Sequence, residues 1–314
     1  MFGHNHLLWA RKHHGIYGLY HTVRKKAERL NPFYRRNFCL NSEAGNVYLR
    51  GLLAMPHPIL VGRLGGTEAA ALSVFLTRKK GESYPPWLVA ELSHSSGMFS
   101  GSDAHIDEFC RLLIQALDRV HALGAWQPAG EAVALPRCCP QEPVLLPLHC
   151  FHAWAFANPW TEMLAGKRVL VVSPFKTSIE RNYSEQRKVL FHNTKVLPDF
   201  DLKVVRAVQG LTGRETGFET WFDAFDSMKQ EISRQEFDLA LLGCGAYGLP
   251  LAAWLFENGY SAVHLAGMTQ LFFGVLGRRW ATAMKPWARL EHWSRPLPEE
   301  RPERYLTMEN GCYW

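Results

Sequence analysis

The chain reads as an α/β protein: a Rossmann-like, doubly wound, mostly parallel sheet with a basic helical arm at its N-terminus. Three observations lead there. Short apolar runs of strand length alternate with helix-length segments through most of the 314 residues, the pattern of a parallel sheet with helices on both faces. Two of these runs pass through a glycine-rich turn into a helix, at 59–76 and again at 237–257. Positive charge is concentrated at one end: residues 1–50 hold nine Lys or Arg and two Glu, a net +7 against +6 for the whole chain.

In chain order, residues 1–45 form the arm and 46–314 a single Rossmann-type domain. The arm interleaves its charges with Phe2, Trp9, Tyr17, Tyr20, Phe33 and Tyr34, which suits an anionic membrane surface. A helical arm packed on its own domain, with a solvated charged face, fits equally well. Basic patches also serve nucleic acid, but no recognition module appears and nucleic acid is not an expected partner. Ile59-Leu60-Val61 reads as a strand, followed by the turn at 62–68 and a helix over Ala69–Leu76. Residues 81–102, rich in Gly, Ser and Pro, read as a loop. Helical periodicity then runs over Ile106–Leu123, with 124–143 irregular and a short strand at Pro143–Leu148. Lys167–Val172 is a buried strand and Ile179–Phe191 a helix; Leu202–Val208 is a strand and Phe218–Gln235 a helix. Phe237–Leu242, Leu249–Glu257 and Ser261–Leu265 close the pattern as strand, helix and strand. The tail from Trp287 to Trp314 lacks periodicity and is expected to wrap over the sheet edge.

Composition narrows the setting. Hydrophobic content of 47% with 20% charge is ordinary for a globular chain. No apolar run is long enough to span a bilayer, and the first residues lack a secretory core. Seven scattered cysteines are an odd number and fit no disulfide framework or zinc spacing. The expected place is the cytoplasm, with the arm allowing peripheral attachment to the inner face of the membrane.

Chemistry is expected where the loops at 62–68, 173–177 and 243–248 converge beyond the strand ends. Gly243, Gly245 and Gly248 fall in the GxGxxG spacing, and with Ala246 and Tyr247 they offer backbone and a helix N-terminus to a phosphate. A tight turn whose glycines only permit close packing is the competing reading. No carboxylate follows Val263, where a dinucleotide fold would hold ribose, so an NAD(P)-dependent oxidoreductase is disfavoured. In the first turn, Arg63 suits a phosphate, Glu68 suits a general base, and Gly65, Gly66 and Thr67 lie between them. Glu68 equally suits the favourable charge at its own helix start. Ser173, Lys176 and Thr177 offer a cation and hydroxyls at another strand end, although a helix cap explains Thr177 as well. Gln270 offers an amide to the same cleft.

The segment VGRLGGTEAAAL resembles the "RxGDGE"-type start of GT-D-type glycosyltransferases, a bacterial family first described as a domain of unknown function. LLGCGAYGLPLAAWLFENGYSAVHLAGMTQLFFG is similar to that family's late glycine turn, and GRRW…HW…RP…GCYW to its closing pattern. The resemblance spans roughly residues 45–314. It implies a nucleotide diphosphate sugar, a UDP-sugar above all, as donor, and a glycan or lipid-linked acceptor in surface polysaccharide or glycoconjugate synthesis. Glu68 and Arg63 would then be catalytic, with Gly65, Gly66, Thr67, Ser173, Lys176, Thr177, 243–248 and Gln270 holding the donor. The family's DxE motif helps to bind a divalent cation (Mn or Mg). Here the triplet is Gly66-Thr67-Glu68, without the aspartate, so the metal ligands stay unknown; His264, Asp103 and Glu180 are the substitutes to test. Loss of that aspartate also suits a non-catalytic nucleotide-binding or scaffold protein of a glycan assembly system.

Overall fold

The computed structural model describes residues 32–37, 41–99, 101–211 and 216–314. Seven strands form one parallel sheet: β1 (Leu60–Gly62), β2 (Ala122–Ala125), β3 (Val144–Pro147), β4 (Arg168–Ser173), β5 (Asp201–Arg206), β6 (Leu239–Leu242) and β7 (Ser261–His264). Their order across the sheet is β3-β2-β1-β7-β6-β4-β5. Every pairing is parallel, for example Val171 with Leu241 and Val204, and Val61 with Val263 and Ala122. Alternate residues of each central strand face opposite layers. Leu170, Val172, Ala240 and Leu242 join one core, while Val169, Val171, Leu239 and Leu241 join the other. Burial on both faces explains why these strands read as unbroken apolar runs.

The helices follow from the direction of each crossover. In chain order they are α1 (Pro32–Asn37), α2 (Ser42–Leu53), α3 (Gly66–Thr77), α4 (Pro86–Glu91), α5 (Asp103–Leu117), α6 (Glu131–Cys138), α7 (Lys176–Gln186), α8 (Trp221–Ile232), α9 (Gly248–Glu257) and α10 (Met268–Phe272). Right-handed crossovers leading toward β3 place α3, α5, α6, α8 and α9 on one face. The single step out to the β5 edge places α7 on the other, with α2 and the C-terminal tail. Connections after the neighbouring strands β4 and β6 thus leave in opposite directions, which opens a crevice at their carboxyl ends. Local chemistry fixes the helix ends. Asn41 caps α2 by accepting from Ala44 N–H at 2.7 Å, Ser102 caps α5, and Thr220 with Asp223 forms a capping box on α8. Gly259 ends α9 with φ +84°, letting Tyr260 N–H reach the Leu255 carbonyl.

Four expectations need correction. The periodic run over Ile106–Leu123 stops as a helix at Leu117, and Ala122-Leu123-Gly124-Ala125 is strand β2. No β-branched residue marks it; Gly124 is there because a Cβ would overlap the Phe151 ring. Within 81–102, Pro86 opens α4, followed by a π-helical turn at Leu92–Ser96 that Gly97 ends at φ +76°. Residues 131–138, expected to be irregular, form α6 despite Pro136. The tail does not cover a sheet edge. It folds as short 3₁₀ turns against the α7 face, burying Met308, Cys312 and Trp314.

The described end of the arm is packed into the body. Phe33 and Tyr34 are buried, Tyr34 donates a 2.8 Å hydrogen bond to Glu131, and α2 runs across residue 45. Residues 1–31, which carry most of the arm's charge, lie outside the described residues. The six described cysteines are all buried. Among the described residues, no helix is long and apolar enough to cross a membrane.

Candidate active site

A cleft of about 510 Å³ opens at the carboxyl ends of the strands, and the loops after β1, β4 and β6 meet in it. The β1 loop supplies Arg63, Gly65, Gly66, Thr67 and Glu68. Arg63 lies over the Trp126 ring at 5.0 Å, and Trp126 is held there by its indole N–H on the Leu64 carbonyl at 2.9 Å. The Arg63 Nε is buried without a hydrogen-bond partner. Burial lowers the Arg63 pKa, with Glu68 as the largest opposing influence. An arginine so placed has a donor to spare for a ligand.

Glu68 stands in the first turn of α3 with its carboxylate folded back over Gly65, where any Cβ would overlap it. Burial raises its pKa; its own N–H, Arg63 and the Ser96 hydroxyl act against that rise. The carboxylate therefore caps its helix and faces the cleft at once. Its proton affinity sits above that of an ordinary glutamate, which suits a group that must take up a proton.

The three glycines of the β6 turn have separate reasons. Gly245 has φ +59° and brings its backbone against the Ser96 carbonyl, 3.1 Å from where a Cβ would be. A Cβ at Gly243 would press on Thr269, and one at Gly248 would overlap the His264 imidazole. Gly243, Gly245 and Tyr247 line the cleft. Ala246 and Gly248 do not line it: Ala246 is buried in the core, and Gly248 is a close-packing glycine at the start of α9.

The β4 loop divides likewise. Ser173 borders the cleft and accepts from Phe175 N–H at 3.3 Å. Lys176 and Thr177 do not reach it: Lys176 pairs with Glu180 at 3.7 Å, and Thr177 accepts from Arg206 at 3.0 Å. The N-terminus of α7 is also taken. Buried Glu300 from the tail accepts Ser178 N–H at 3.1 Å and the Ser178 hydroxyl, an internal anion where a phosphate was expected. Gln270 lines the cleft, but its amide N–H group is used by the carbonyls of Val275 and Tyr313, both at 3.1 Å. Its buried Oε1 has no partner.

The candidate metal substitutes do not converge. Asp103 starts α5, with its carboxylate toward Tyr84 N–H. Glu180 is exposed, and His264 is buried with Nδ1 3.2 Å from the Leu242 carbonyl. Among the described residues, no group of three His, Cys, Asp or Glu side chains could hold a metal ion.

Tertiary packing adds residues that spacing did not single out. Arg279 lines the cleft against Trp280 and Tyr313, 5.7 and 5.5 Å from their rings, and pairs with Glu309. The closing GRRW and GCYW motifs were the available signal. Trp126 and His152 carried none. His152 stacks on Trp154 at 5.1 Å, and burial pushes its pKa down to about 4, so it faces the cleft neutral. Ala266, also in the cleft wall, holds φ +51°, a conformation L-residues seldom adopt.

No family model matches the chain, and no curated protein matches it. Among solved structures, it is similar to a selenomethionine-substituted structure of domain of unknown function 1792 (DUF1792). That likeness has a TM-score of 0.42 and 13% identity over 75% of this chain and 79% of that one. A likeness this loose has no bearing on the chemistry.

Proposed function

We propose that the protein is a glycosyltransferase that binds a nucleotide diphosphate sugar, such as a UDP-sugar, in this cleft. The sugar would go to a glycan or lipid-linked acceptor in surface polysaccharide or glycoconjugate synthesis. The observation that carries the reading is the convergence of Arg63, with its unpartnered Nε, and Glu68 beside the glycine turn after β6. The motif resemblance at 61–72 and 241–274 supports the same assignment. Arg63 and Arg279 hold the diphosphate, helped by the backbone of Gly243 and Gly245 in the turn after β6. Trp126 and Tyr313 give flat walls for a sugar or base.

In the transfer step, the acceptor hydroxyl oxygen forms a bond to the anomeric carbon. The bond from that carbon to the diphosphate oxygen breaks, and the diphosphate leaves with the electron pair. Glu68 takes the hydroxyl proton. The arginines stabilise charge developing on the leaving group, a clamp set before reaction. The residues present give this task to guanidinium groups rather than to a cation, so turnover is expected to persist in EDTA and gain little from Mn²⁺.

The test is release of nucleoside diphosphate from a panel of donors by the full chain, with donor binding followed by thermal shift. At 100-fold excess over Kd, a bound donor stabilises the fold by about 2.7 kcal/mol. One observation favours a second reading: the Glu68 carboxylate is turned back on its own helix. Binding of nucleotides with no turnover of any donor would place the protein among non-catalytic scaffolds.

A further inference from the structure

Beside the cleft lies a second, smaller recess of about 210 Å³, walled by Arg278, Arg295, Arg301, Tyr305, Leu306 and Trp314. Three guanidinium groups share it. Among the described residues none of the three pairs with an Asp or Glu side chain, whereas adjacent Arg279 pairs with Glu309.

Backbone oxygens set the direction of each group. Arg278 donates to the Asn310 carbonyl at 3.3 Å, Arg295 to the Leu276 carbonyl at 3.1 Å and the Trp314 main-chain oxygen at 3.5 Å, and Arg301 to the Pro296 carbonyl at 2.8 and 3.0 Å. A guanidinium carries five N–H donors, so each keeps several free after these bonds. Like charges gathered without an acidic side chain between them repel one another, and an anion relieves that repulsion. The forked donors match phosphate oxygens. Tyr305 and Leu306, the latter 56% exposed, give the recess an apolar lip, which suits a phosphate ester better than a bare ion. Consecutive Arg278 and Arg279 serve the recess and the cleft respectively, and Trp314 borders both.

We propose that this recess binds a phosphate or diphosphate group carried by the acceptor, held across Trp314 from the donor. Assigning the group to an acceptor rests on the glycosyl-transfer reading; the anion site itself does not. The probe is inorganic pyrophosphate, titrated calorimetrically into the full chain in the presence of saturating UDP. Arg295→Gln with Arg301→Gln should weaken pyrophosphate about tenfold or more, since each loses charge-assisted hydrogen bonds, and should leave UDP binding unchanged. Arg295→Glu, a change at an exposed position, is the second variant and should do the same, with an unchanged melting curve as the check that the fold is kept. Arg63→Gln should lose UDP and keep pyrophosphate. Unchanged pyrophosphate affinity in both recess variants overturns the site. Sedimentation with phosphatidic acid, phosphatidylserine or phosphatidylcholine vesicles separates the sources. Variant-sensitive binding to phosphatidic acid assigns the phosphate to a lipid, and pyrophosphate sensitivity alone assigns it to a soluble acceptor. Failure of the glycosyl-transfer reading would appear separately, as absent UDP binding and turnover with the pyrophosphate result intact.

Discussion

Glu68 has two tasks, and a single substitution separates them. Glu68→Gln keeps the shape and the capping oxygen but loses the charge and basicity. It should cut turnover by about 10²-fold or more while changing stability by less than about 1 kcal/mol; donor-dependent kinetics and a melting curve check both. Because burial raises the Glu68 pKa, the acid limb of the pH–rate profile should lie above the range of an ordinary carboxylate, and Glu68→Gln should remove it. Gly245 answers to a different constraint. Its φ of +59° and the nearby Ser96 carbonyl mean that Gly245→Ala should cost about 1 kcal/mol or more by strain alone. A loss of donor affinity in that variant therefore counts only if denaturant unfolding shows the fold retained. His264 supplies a pH dependence. Burial pushes its pKa down to about 3, so the folded protein leaves it neutral while the unfolded chain protonates it near pH 6.5. Its contribution is fully present above about pH 6.5 and is lost as pH falls toward 3; at pH 5 the loss is about 2 kcal/mol. Denaturant unfolding at pH 7 and pH 5 should show the drop, and His264→Gln, though less stable, should show a shallower one.

Among the elements, α7 shows why a strand–turn–helix pattern is insufficient evidence for a phosphate site. Ser173-Pro174-Phe175-Lys176-Thr177-Ser178 has suitable chemistry, but Glu300, more than 120 residues away, takes the helix N-terminus through Ser178. Leu297 N–H shares the same carboxylate at 3.2 Å. Glu300→Gln would turn an amide N–H₂ toward these donors and should destabilise by about 1–3 kcal/mol, freeing the tail that walls both pockets. Limited proteolysis within residues 296–314 should rise in that variant. The three loops were legible as converging because parallel strands share one carboxyl end. Which of their residues face the cleft was not, since Lys176 and Thr177 differ from Arg63 only in what packs beside them.

For the whole molecule, the alternation of strands and helices was readable because the central strands are apolar on both faces and the caps are local. Strand β2 escaped because its four residues lack any β-branched side chain, and its state is set by neighbours β1 and β3. We also propose that the basic arm docks the protein on an anionic membrane face. Since Phe33 and Tyr34 belong to the core, the test uses a chain lacking residues 1–31 rather than a longer truncation. Full-length protein should sediment with anionic vesicles more than with neutral ones, and added salt or the truncation should abolish the difference. Equal binding to both vesicle types would leave the arm as a packing element. The sequence by itself determined the layer architecture, the two glycine turns and the Arg63–Glu68 spacing, because periodicity and turn chemistry act over a few residues. Tertiary structure alone decided that Gly248 serves His264, that Glu300 closes α7, and that Trp126 and His152 join the cleft. Those outcomes depend on contacts between segments far apart in the chain, which no local pattern of residues encodes.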